Sequence, residues 1–210
     1  MIKFEIWGYT YYLRGTYGVA IVDLDGTLSD GTHRLHLLPT KDLHLTESWS
    51  EFNKAAANDK PIQSTIDVVR NLWRAGMGVV ILTGRSDEVE TDTILWLDRH
   101  KVKYDWLIMR RAEDNRKDTV IKEEVLRAIG LHHITCAFDD SPSVIKHFRS
   151  LGITTYQVTE YDEPHAHLQS HGVEDLKKPM IECADSPHKF SVIDGKCRYC
   201  DVVDKSVIIE

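Results

Sequence analysis

Short runs of apolar β-formers alternate with longer stretches whose apolar residues recur at helical spacing. Gly18 to Asp23 reads as a buried strand, as do 77–85 (MGVVILTGR), 104–110 (YDWLIMR), 134–141 (ITCAFDDS) and the short 153–158 (ITTYQV). Between them, 62–75 (IQSTIDVVRNLWRA), 87–100, 118–129 and 142–151 carry the helical period, and Gly76 suits the end of the first. Strands alternating with helices in this way predict βαβ units and an α/β fold, a parallel sheet flanked by helices. Open sheets of this kind bind ligands beyond the carboxyl ends of their strands. The polar clusters of this chain follow its strands at those ends.

Two stretches break the rhythm. Residues 31–60 join the first strand to the first long helix, too long for an ordinary βα loop, and SWSEFNKAAA within them reads as a short helix. They are expected to form a small lid, too short for a large cap, over a rather open site. Residues 1–17 hold six of the 18 aromatic residues (Phe4, Trp7, Tyr9, Tyr11, Tyr12, Tyr17) and suggest a β extension, a hairpin packed on a sheet edge. Cross-strand aromatic packing accounts for them better than a base-stacking platform does.

At 210 residues and 42% hydrophobic content, the chain has material for one ordinary domain, with room for a small appendage. A net charge of −7 argues against non-specific binding to long duplex DNA, which rests on neutralising phosphates. A local basic pocket for one phosphate remains compatible with it. No apolar run approaches a membrane span, and MIKFEIWGYTYY lacks the apolar run of a signal peptide. Cys136 stands alone in an apolar strand, while Cys183, Cys197 and Cys200 cluster near the C-terminus, which reads as metal chemistry in a reducing, cytoplasmic setting.

The chemistry gathers at strand ends. Asp23 and Asp25 end the first strand two residues apart, before Gly26 and Thr27 turn the chain. Two clustered carboxylates repel unless a cation neutralises them or one holds a proton. A hard divalent ion such as Mg²⁺ resolves the conflict, and Asp139 and Asp140, ending another buried strand, supply further oxygen ligands. Thr83, Gly84 and Arg85 offer a hydroxyl, a backbone N–H and a guanidinium fork for a phosphoryl group. Lys117 precedes a helix that Asp118 would cap, where an ammonium neutralises both a nucleophile and a bound phosphate.

DLDGT, ILTGR, the Lys117 segment and FDDS, in this order on a βαβ chain, resemble motifs I to IV of the haloacid dehalogenase (HAD) superfamily of phosphatases. The resemblance is strongest to the 3′-phosphatase domain of bacteriophage-type polynucleotide kinases, where DxDGT is followed by an arginine at the spacing of Arg34. It spans roughly residues 18–160 and includes the segment Asp114-Asn115-Arg116-Lys117-Asp118, continuing to Lys122, Glu123 and Glu124. No GxxxxGK[ST] P-loop occurs, so the likeness is to the phosphatase half alone.

The resemblance implies an HAD-like, Rossmannoid fold and an aspartyl-phosphate mechanism. Asp23 is the implied nucleophile, Asp25 the acid and base, and Mg²⁺ the metal, held by Asp23, the Asp25 carbonyl and Asp139, with Asp140 through water. Thr83, Gly84, Arg85 and Lys117 would hold the phosphoryl oxygens, with Lys122 as the alternative lysine. Lys117 lies nearer the strand end, which favours it. Arg34, Asp114 and Arg116 are the expected substrate contacts, and His33 and His36 lie where a lid would meet substrate. Trp49 and Phe52 read as core packing of the lid helix ahead of the alternative, stacking on a base. The implied substrate is a nucleotide-type phosphomonoester, either a polynucleotide 3′-phosphate end (a 3′-phosphatase) or a nucleoside monophosphate (a 5′-nucleotidase). A small-metabolite phosphatase and a non-catalytic HAD-fold binding module are the competing readings. The latter should lack a nucleophile or metal carboxylate, and all are present. A homo-oligomer is compatible with all of these.

Beyond 160 the register changes. Residues 161–179 read as a polar linker, and 180–210 as a zinc-binding tail. Cys183-x₄-His188, eight residues, then Cys197-x₂-Cys200 suits a tetrahedral Cys₃His site for structural Zn²⁺, resembling a zinc ribbon or knuckle.

Overall fold

The computed structural model describes residues 1–160, so the linker and the expected zinc ligands Cys183, His188, Cys197 and Cys200 lie outside the described residues. The described strands are β1 (Ile2–Ile6), β2 (Tyr9–Leu13), β3 (Val19–Val22), β4 (Ser29–Asp30), β5 (Lys60–Pro61), β6 (Gly78–Ser86), β7 (Trp106–Arg110), β8 (Ile134–Asp139) and β9 (Thr155–Gln157). The α-helices are α1 (Ser50–Lys54), α2 (Gln63–Arg74), α3 (Glu90–Arg99), α4 (Asp118–Ile129) and α5 (Pro142–Ser150).

Five strands form one parallel sheet in the order β7-β6-β3-β8-β9. Both faces are covered, which is why the strands read as continuous apolar runs. Val19 and Ile21 of β3 face a core shared with Val80, Leu82, Val125 of α4 and Phe148 of α5. Val22, from the alternate set, packs with Val79, Ile81, Ile66 and Val69 of α2, and Trp96 of α3 on the other face. Gly18 enters β3 at φ +96°, and a β-carbon there would lie 2.0 Å from the Thr135 hydroxyl, so only glycine fits. Among the described residues no helix is long and apolar enough to cross a membrane.

β1 and β2 pair as a separate antiparallel hairpin. Phe4, Ile6 and Leu13 enter the core beside α4, and Trp106 on edge strand β7 donates to the Tyr12 carbonyl at 2.9 Å. Phe4 stacks on Tyr11, which meets Trp106 edge-on, each pair 4.9 Å between centroids. Tyr9, Tyr12 and Tyr17 are exposed.

The chain folds β3, then β6 on one side of it and β8 on the other. Between β3 and β8 the winding reverses, and such a switch point opens a crevice at the strand ends. The 31–60 stretch arches beside it as short 3₁₀ segments at Thr32–Leu37, Thr46–Trp49 and Ala55–Asn58, with α1 between the last two. The short helix expected at SWSEFNKAAA is thus broken into three pieces.

Candidate active site

The turn after β3 is held by its own backbone. Leu24 O accepts from the N–H groups of Leu28 and Ser29, both at 2.9 Å, and Gly26, at φ +69°, donates to Ser29 O at 2.8 Å. Leu24 and Leu28 anchor the loop in the core. Asp23 and Asp25 are thereby displayed at the crevice, and Asp23 N–H donates to Phe138 O at 2.9 Å, locking the ends of β3 and β8 together. On β6 the pairing with β7 slips between Thr83 and Ser86. Arg85 lies within this irregular stretch and lines the pocket.

A cavity of about 360 Å³ results. Asp23, Asp25, Asp139, Asp140, Thr83, Gly84, Arg85 and Arg34 all line it. Lys117, Asp114 and Arg116 do not. Lys117 is exposed just ahead of α4, and Asp114 and Arg116 are engaged with one another at 2.7 Å, Arg116 also with Glu124. Asp118 does not cap α4 either: it is the helix's first residue and turns inward. The lysine in the site is Lys122, whose ammonium lies 2.8 Å from Asp23, 2.9 Å from Asp139 and 3.2 Å from Asp118. One turn and a half of helix separates it from Lys117, so helix register places Lys122 in the cavity and leaves Lys117, favoured on chain proximity, outside it. Trp49 is buried, its indole donating to Leu43 O at 3.0 Å, and it lines the cavity together with Phe52, which lies beneath the Arg34 guanidinium, 3.9 Å from ring centroid to carbon. His33 reaches Asp59 at 3.0 Å, and neither it nor His36 lines the cavity.

Two charge clusters divide the site. In the first, burial pushes the Asp23 carboxyl well above the usual carboxylate range; Asp139 and Asp140 add to this and Lys122 opposes it. Burial likewise raises Asp139 against the pull of Lys122. Burial works against the Lys122 ammonium, but Asp118, Asp139 and Asp23 outweigh it and hold its pKa well above the lysine value. Asp118 also pairs with Arg110 at 3.3 Å, which leaves Asp23 and Asp139, with Asp140 beside them, sharing the one ammonium, a deficit of positive charge that a divalent cation relieves. No preassembled cage of three or more His, Cys, Asp or Glu side chains exists among the described residues. Mg²⁺ does not require one, since it keeps waters and takes one or two carboxylates alongside phosphate oxygens.

In the second cluster, Arg34 and Arg85 converge on Asp25. Arg34 Nη2 donates to Asp25 Oδ1, and Arg85 reaches the same carboxylate through Nη2 at 2.5 Å and Nε at 3.2 Å. Burial opposes ionisation of Asp25, but Arg85 and Arg34 outweigh it and hold its carboxyl well below the usual range. Behind them lies Asp59, a buried carboxylate that sequence inspection does not single out, because its partners are 25 and 26 residues away along the chain. Arg110 is also missed: it is buried at the end of β7 and clamps the 110–117 loop through the carbonyls of Asp114 (2.9 Å) and Arg116 (2.7 Å). Its place at a strand's carboxyl end was the available signal.

The model of the polynucleotide kinase PNKP phosphatase domain matches residues 18–162. A protein of Autographa californica nuclear polyhedrosis virus, provisionally named a bifunctional polynucleotide kinase/RNA ligase, is 27% identical over 139 residues, which cover 64% of this chain and 18% of that protein. Among solved structures, chains in the Pnkp1/Rnl/Hen1 complex and the Pnkp1/Rnl/Hen1 RNA repair complex match with TM-score 0.55 at 26% and 27% identity. Each match covers 76% of this chain, and 52% and 48% of theirs, so this chain spans about half the length of those relatives and under a fifth of the viral one. A β-phosphoglucomutase-like protein from Thermotoga maritima, 18% identical with TM-score 0.50 over 71% of this chain and 89% of that one, shares the fold. With that sheet, that order of motifs and a family match over most of its length, the chain belongs to the polynucleotide kinase PNKP phosphatase domain family, as an HAD-type phosphatase.

Proposed function

We propose that this chain is a Mg²⁺-dependent phosphomonoesterase that removes the terminal phosphate from polynucleotide 3′ ends through an aspartyl-phosphate. The observation that carries the reading is the convergence at one switch point of Asp23, Asp25 and Asp139 with Arg34, Arg85 and Lys122. Asp23 attacks phosphorus, the P–O bond to the nucleotide breaks, and the departing oxygen takes a proton from Asp25. Asp25 then removes a proton from water as it attacks phosphorus, releasing inorganic phosphate and restoring the Asp23 carboxylate. The proton Asp25 donates must be acquired as phosphate draws the two arginines away from it, since their pull keeps it ionised.

Mg²⁺ would be held by Asp23, Asp139 and the Asp25 carbonyl, with Asp140 through water, and would supply charge neutralisation at the phosphoryl oxygens. Thr83, the Gly84 N–H and Arg85 hold those oxygens, and Lys122 offsets the charge of Asp23. Leu35, Leu38, Phe52 and Ile62 make an apolar wall on the lid side, suited to a ribose and base. The family match and the RNA repair complex among the similar structures support the polynucleotide substrate.

The test is kcat/KM with Mg²⁺ across a 3′-phosphorylated oligonucleotide, nucleoside 3′- and 5′-monophosphates and sugar phosphates. The oligonucleotide should lead the 5′-monophosphates and sugar phosphates by about tenfold or more, the ratio that 1.4 kcal/mol of selective transition-state binding produces. Comparable rates on sugar phosphates would remove the nucleotide preference and leave the phosphatase standing.

A further inference from the structure

The 31–60 stretch ends in a carboxylate that none of the steps above uses. Asp59 Oδ1 accepts from Arg34 Nε at 2.8 Å and Oδ2 from Arg34 Nη2 at 2.7 Å, a two-pronged pairing that fixes the guanidinium plane. Arg85 Nη2 lies 3.4 Å from Oδ2, and His33 Nε2 3.0 Å from Oδ1. The Asp59 main chain is itself pinned, its carbonyl accepting from Trp96 Nε1 at 2.8 Å and its N–H donating to Ala56 O at 3.0 Å. The side chain of Asp59 is 0% exposed and off the cavity wall, whereas that of Asp25, facing the same two arginines from the other side, is 30% exposed and lines the cavity.

We propose that Asp59 is a positioning residue, the fixed partner that keeps Arg34 and Arg85 side by side and aimed at the pocket when an incoming phosphoryl group displaces Asp25 as their exchangeable partner. This rests on the phosphatase reading. Two guanidiniums and two carboxylates balance in the cluster, and a phosphoryl group can exchange only with the carboxylate it reaches. Without Asp59 the arginines would share one carboxylate, and their mutual repulsion would turn one of them out of line. The lid contributes both Arg34 and Asp59, so it shapes the phosphate site besides covering it.

The experiment measures p-nitrophenyl phosphate hydrolysis with Mg²⁺, and inhibition by orthovanadate, in wild type, Asp59→Asn, Arg34→Gln and the double variant. Asp59→Asn should raise the orthovanadate inhibition constant about tenfold and lower kcat on the order of a hundredfold, the scale of an ångström's misplacement. In the Arg34→Gln background the same change should cost far less, because its main route of action is already gone. A folded Asp59→Asn enzyme with wild-type kinetics, or losses that simply add in the double variant, would overturn the inference. If Asp59→Asn is recovered only unfolded, Asp59→Glu, which keeps the charge but shifts the arginines by a methylene, carries the test: a raised inhibition constant supports the inference and an unchanged one overturns it. A wild-type chain inactive on p-nitrophenyl phosphate would overturn the phosphatase reading and this inference together.

Discussion

Lys122 shows how much a single side chain can hold. It sits in the buried stripe of α4, between Ile121 and Val125, with a charged head among three carboxylates. Removing one partner of a buried ion cluster leaves the rest uncompensated, at about 3–5 kcal/mol. Lys122→Met should therefore lower the urea unfolding free energy by about that much and abolish measurable turnover, with part of the stability returning on addition of Mg²⁺. Lys117→Ala, at an exposed position, should stay within about 0.5 kcal/mol of wild type and keep its activity. An inactive Lys117→Ala enzyme beside an active Lys122→Met enzyme would reverse the roles. The signal for Lys122 was present in the sequence: a lysine in the stripe formed by apolar Ile121, Val125, Leu126 and Ile129 needs a buried partner. Chain proximity to the strand end was the weaker guide, because helix register decides which way a side chain faces. Asp59 carried no such signal, since a carboxylate in an irregular stretch reads as solvated until its distant arginines are placed.

At the scale of elements, the 31–60 stretch, the proposed lid, is joined to the loop that follows β7. Thr46 N–H donates to Asn115 Oδ1 and its hydroxyl to Asp114 O, each at 2.7 Å, while Arg110 clamps that loop from beneath. Asn115→Ala would leave the Thr46 amide, in a buried residue, without its acceptor, costing about 1–3 kcal/mol. The expected outcome is a lower unfolding free energy by that amount, together with faster protease nicking within residues 38–48. Equal nicking rates in variant and wild type would show that this latch does not restrain the lid. Elements of the sheet were readable because period-two and period-3.6 patterns are local. The lid was readable only as an interruption, since its 3₁₀ turns have no sustained period and its anchoring bonds span 68 and 69 residues of chain.

For the whole molecule, the strand order determines where everything meets. Alternating strands and helices predict a parallel sheet but leave its order open. The acidic ends of β3 and β8 were the clue that these two are neighbours, because carboxylates from separate strands gain nothing from isolation and share a cation when adjacent. The order β7-β6-β3-β8-β9 puts them on either side of the switch point, and β6 delivers Thr83 and Arg85 from the other flank. A site assembled from loops after several strands couples ligand binding to the stability of the whole sheet. At a hundredfold excess over its dissociation constant, a ligand specific to the folded state adds about 2.7 kcal/mol. For a chain of this size that corresponds to roughly 5–11 °C in midpoint. Mg²⁺ with orthovanadate should therefore raise the thermal midpoint by several degrees, and Mg²⁺ alone by less, because phosphate-like oxygens complete its coordination. Asp139→Asn should lose the combined shift while Arg127→Ala, whose ion pair with Glu123 lies on the outer surface of α4, keeps it. A full shift surviving in Asp139→Asn would place the ligand away from the β3–β8 crevice, and with it the chemistry assigned there.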